Sequence, residues 1–87
     1  MDPDTCPQTA EGVELNELDD GYIIYDPKQD RVHYLNPTAA FILVLCNGKV
    51  PTRDLPSLVQ AAYDLTEPPE IEVAQCLEKL YEEGLIR

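Results

Sequence analysis

Chemistry in a chain of 87 residues starts with its nucleophiles, bases and metal ligands, and here they are few. His33 is the only histidine, and it falls in the alternating stretch RVHYL. A lone strand histidine is either structural or a contact for a bound partner. Catalysis by a nucleophile needs a base and a group that orients it. Ser57 lies within a helical pattern, and no Ser-His-Asp set has workable spacing. Cys6, Cys46 and Cys76 are far apart, odd in number and without a C-x-x-C pair, which fits neither a disulfide framework nor a zinc site. Cys46 and Cys76 sit among apolar residues and read as small core side chains. Cys6 lies in a polar segment, either reactive or merely exposed. The acidic pairs Asp19-Asp20, Glu70/Glu72 and Glu82-Glu83 lack calcium-loop spacing and read as solvated charge. The four glycines are scattered and form no phosphate loop. The residues therefore predict no enzyme, no cofactor and no metal.

Interaction is what remains, and charge narrows it. Seventeen acidic residues against six basic ones leave a net charge of −11. Phosphate binding rests on Lys and Arg, so this charge argues against nucleic acid and anionic membranes as partners. A neutral or basic polypeptide surface is favoured. The longest apolar run, Ala39 to Cys46, is too short to span a membrane. The polar start predicts no signal peptide, and the thiols fit a reducing cytoplasm.

The elements that would position these residues follow from local pattern. Residues 1–12, MDPDTCPQTAEG, lack apolar periodicity and predict a flexible N-terminal tail; residues 13–87 predict one domain. VELNEL, GYIIYD and RVHYL predict three strands, joined by Asp20-Gly21 and by the polar turn DPKQD. Asn36-Pro37 then signals a helix start. Ala39 to Cys46 is apolar eight times in succession and reads as a helix covered on nearly every side, with a buried strand as the rival reading. Gly48 is its stop. A second helix is expected within about 54–65 and a third from Glu70 to Gly84. On the third, Val73, Leu77 and Leu80 centre the apolar face. Cys76 widens it on one side, and Ala74, Tyr81 and Ile71 on the other. A face that wide either is wrapped by the domain or lines a groove.

Three strands followed by three helices make an α+β, winged-helix-like layout. Its usual use on DNA needs basic residues on a reading helix. Here the second helix region offers Arg53 and the third Lys79 amid Glu72, Glu78, Glu82 and Glu83. The third strand is a candidate free edge, to which an extended peptide can pair through backbone bonds.

The pieces DGYIIYD at 20–26, RVHYLNPTAA at 31–40, Asn47-Gly48 and LEKLYEEGLI at 77–86 resemble the PqqD-like family, the peptide chaperones also described as RiPP recognition elements. The resemblance covers about 13–87. It implies a protein that binds the leader segment of a ribosomally made precursor peptide and delivers it to a modifying enzyme, often a radical SAM protein. The leader would add beside the third strand and pack against the third helix. Carried onto this chain, the strand contacts are Arg31, Val32, His33 and Tyr34. The helix wall is Ile71, Ala74, Gln75, Glu78 and Tyr81. Leu35, Ala39 and Ala40 are structural, and Asn36 closes the corner. No radical SAM cysteine motif is present, so the chain would act as an adaptor, monomeric or weakly dimeric. The competing expectations are a winged-helix transcriptional regulator and a scaffold subunit without peptide affinity.

Overall fold

A computed structural model describes residues 3–87. Met1 and Asp2, part of the expected tail, lie outside the described residues. Three strands come first: β1 (Glu14–Leu18), β2 (Gly21–Asp26) and β3 (Arg31–Leu35). They form one antiparallel sheet in the order β1-β2-β3. Three helices follow: α1 (Pro37–Leu45), α2 (Leu55–Tyr63) and α3 (Glu70–Glu82), with a short 3-10 turn at Thr52–Asp54 before α2. This is the expected α+β layout.

Strand alternation sorts the sheet into two faces. Ile24 pairs with His33 and Tyr22 with Leu35, and Ile24 and Leu35 are buried on the inner face. That face meets α1, whose Ala40, Ile42 and Leu43 are also buried. Leu55 and Val59 of α2, Val73, Leu77 and Leu80 of α3, and Leu85 and Ile86 beyond it complete the core. Phe41 and Tyr63 add an edge-to-face contact between α1 and α2, with ring centres 5.9 Å apart. α1 differs from its expectation on one side: Val44 is 62% exposed. The sheet, α2 and α3 wrap three sides of that helix, and none of them reaches the fourth.

The corner from β3 into α1 is built by Asn36. Its side-chain oxygen accepts the Ala39 amide at 2.8 Å, and Pro37 opens the helix with a φ already suited to it. The β1–β2 turn brings Gly21 hard against the end of β3. A Cβ there would stand 2.8 Å from the Leu35 carbonyl oxygen, so glycine permits the close approach.

Residues 3–10 differ from the expectation of a loose tail. Gln8 and Arg87 exchange backbone hydrogen bonds, each 2.9 Å. The Thr9 amide donates to the Cys46 carbonyl at 2.8 Å and the Ala10 amide to Leu85 at 2.8 Å. The Thr9 hydroxyl lies 3.1 Å from the carbonyl oxygens of both Leu43 and Cys46, and Pro7 is buried. The segment thus satisfies carbonyls that the end of α1 leaves open. Backbone pairing carries no side-chain period, so a pattern search passes over it.

Candidate functional site

β3 has one strand neighbour, β2, and among the described residues no strand occupies its other side. That open side borders a groove of about 540 Å³. One wall is the run Val32 to Asn36 with Ala39. The opposite wall is α3 and its end, through Glu72, Gln75, Cys76, Lys79, Leu80 and Glu83, and Leu85 completes the lining. β3 and α3 therefore adjoin across a trench in which backbone donors and acceptors are available on one side.

The groove is tied at one end. Nδ1 of His33 lies 3.5 Å from Oε2 of Glu83, and the Arg31 guanidinium lies 3.9 Å from the same oxygen. Glu83 caps α3, so these contacts anchor the helix end to the strand. Gln29 adds a third tie. Its amide nitrogen donates to the buried Asp26 at 2.7 Å and approaches the Glu83 carbonyl at 3.4 Å. Gly84, at φ +74, turns the chain out of the helix beside Gln29. The Nε2 atom of His33 is buried and has no hydrogen-bond partner among the described residues. His33 thus has its place in the scaffold of the groove.

Arg31, Val32, His33 and Tyr34 stand on the open-edged strand. Of the α3 residues singled out in the sequence, Gln75 lines the groove beside β3. Ala74, Glu78 and Tyr81 lie on the other flank of the helix, where they line a second hollow of about 800 Å³ with Thr5, Thr52, Leu77 and Arg87. Ile71 borders the Leu65–Pro69 loop instead. The flank facing β3 carries Glu72, Cys76, Lys79, Leu80 and Glu83, which the sequence reading did not select as site residues. Cys76 was the visible sign of that flank, since it widens the apolar face in that direction.

The groove side of α3 mixes Lys79 with Glu72 and Glu83. Cys76 stays a neutral thiol: burial pushes its pKa up, partly offset by the charge of Lys79. Cys46 behind it is pushed to about 12, by burial first and then by Cys76. Neither thiol is an activated nucleophile. Among the described residues no three His, Cys, Asp or Glu side chains gather as a metal site would require. No described helix is long and apolar enough to cross a membrane.

No curated protein and no solved structure matches the chain significantly. A protein-family model does: Coenzyme PQQ synthesis protein D (PqqD), over residues 21–86. That match runs from the first residue of β2 through β3, all three helices and the buried Ile86. The edge strand, the helix opposite it and the groove between them all fall inside it, and the chain belongs to the PqqD family, a family of RiPP recognition elements.

Proposed function

We propose that this chain binds the leader segment of a ribosomally synthesised precursor peptide as a fourth strand on β3. The leader lies in the groove against α3 and is presented there to a modifying enzyme, such as a radical SAM protein, in the cytoplasm. The family supports the coarser part of this reading, an accessory peptide-binding partner in peptide maturation. The observation that carries the rest is the open side of β3 facing a groove whose far wall is α3. An edge strand offers unpaired amides and carbonyls as a template. Backbone pairing supplies affinity, and side-chain pockets supply selectivity. Because α1 and the Glu83 contacts already hold the groove, little ordering is left for the moment of binding.

Arg31, Val32, His33 and Tyr34 contribute the docking edge in this reading, and Gln75 with its groove-side neighbours contributes the wall. The adaptor acts as a monomer or weak homodimer. The test is titration of the isotopically labelled chain with the short precursor peptide encoded beside its gene. Amide shifts are expected at 31–35 and along the Glu72–Glu83 flank of α3. Shifts confined to residues 3–10, or no binding at ~100 μM, a free energy of only about −5.5 kcal/mol, overturn the proposal.

A further inference from the structure

The outer face of the sheet, opposite the core, is apolar where it meets the open edge. Val32 is 59% exposed and Tyr34 58%. Val32 pairs with Tyr25 and Tyr34 with Ile23, so each pair forms a row running across the sheet toward β1. Tyr25 and Ile23 are themselves half-buried. The Tyr34 hydroxyl donates to Asp20 at 2.8 Å, and the Tyr25 hydroxyl to Asp30 at 3.1 Å. Both rings are thereby held at the surface in fixed positions. Each row ends at β3 with nothing beyond it among the described strands.

We propose that a guest strand on β3 is read on both of its faces. The inference rests on the strand-addition reading above. Successive side chains of an added strand point to opposite faces. Those of one parity enter the groove toward Leu35, Ala39 and Leu80. Those of the other parity extend the Tyr25–Val32 and Ile23–Tyr34 rows by one member each, at cross-strand distances of about 4.5–5.5 Å. Aromatic and β-branched residues gain most from such neighbours. Asp20 and Asp30, fixed on the tyrosine hydroxyls, make an acidic side chain unfavourable there. The guest is therefore a short segment with apolar residues at both parities, one set in the groove and the other alongside Val32 and Tyr34. An alternating amphipathic segment would satisfy the groove alone.

The probe is a displayed library of ten-residue peptides, each position drawn evenly from Val, Tyr, Ser, Lys and Glu, selected against the full chain. Selected peptides are expected to be enriched in Val and Tyr at both parities over their central positions. Changing one outward Val or Tyr of a selected peptide to Ser should weaken binding by up to about fivefold, the size of one cross-strand pair. That penalty should shrink against the Val32→Thr/Tyr34→Thr double variant, which trades the apolar side chains for polar ones while keeping β-branched residues at exposed strand positions, and inward preferences should persist. Enrichment at one parity alone, with amide shifts still centred on Arg31–Leu35, overturns two-faced reading and leaves strand addition standing. Amide shifts away from β3 remove both.

Discussion

His33 on β3 and Glu83 at the end of α3 approach to 3.5 Å, and this contact helps to join the two walls of the groove. Arg31 reaches the same carboxylate at 3.9 Å, so one glutamate serves two strand residues. An ion pair as open to solvent as Arg31–Glu83 contributes little stability. The value of this one is geometric, because it holds the strand–helix separation.

Glu83→Gln is expected to cost about 0.5–1 kcal/mol or less in chemical denaturation. Protection of those β3 amides that bond to β2 should fall by more than the global stability loss explains. Equal losses everywhere would show that the pair does not hold the groove locally.

Adjacent strand residues point their amides to opposite sides. Proline removes one donor, so Val32→Pro and His33→Pro should divide cleanly. One loses a bond to β2 and destabilises the fold by about 1–3 kcal/mol. The other keeps the fold and weakens peptide binding at the open edge. His33→Ala separates loss of the imidazole from loss of the amide. Thermal melts and peptide titration on all three variants decide which amide faces outward.

Deleting residues 1–10 removes the paired bonds between Gln8 and Arg87 and the caps on Cys46 and Leu85. At about 0.5–1.5 kcal/mol per bond the loss is several kcal/mol, and it uncovers Leu85 and Ile86 as well. The truncated chain is expected to melt far below the full one. A melting point within a few degrees would mean that the segment is dispensable.

Cys46 carries a pKa raised to about 12 in the fold, against 9.0 for the free thiol. The fold therefore favours its neutral form. This contribution is fully present below pH 9 and is lost as pH climbs through the window toward 12. The slope contributed by Cys46 approaches about 1.4 kcal/mol per pH unit. Cys46→Ala should flatten the decline of stability across that window, measured by denaturation at stepped pH. An unchanged slope would mean that the thiol ionises without opening the core.

The β3–α1 corner was legible because its signals are local. Asn36 caps, Pro37 starts, and the alternation in RVHYL marks the strand before them. The three-strand, three-helix order follows from the change of apolar period between Leu35 and Ala39. The rotation of α3 has no such local sign. Val73, Leu77 and Leu80 define its buried centre, yet either flank suits a groove: Cys76 on one side, Ala74 and Tyr81 on the other. The choice is made by Glu83 meeting Arg31 and His33 some fifty residues earlier, and by Gln29 reaching the helix end. Docking of residues 3–10 was illegible for a related reason, since it runs through main-chain atoms between the two ends of the sequence.

The margin of the sheet opposite β3 is β1, exposed along all five residues and bearing Glu14 and Glu17. Among the described residues neither margin carries a further strand, and two such margins on one sheet invite copies to join head to tail, β3 of each against β1 of the next, into an open-ended filament. The chain's surplus of negative charge sets every copy against that outcome. Concentrated salt shortens the reach of this repulsion, so brine rather than heat is where such fibres should first form.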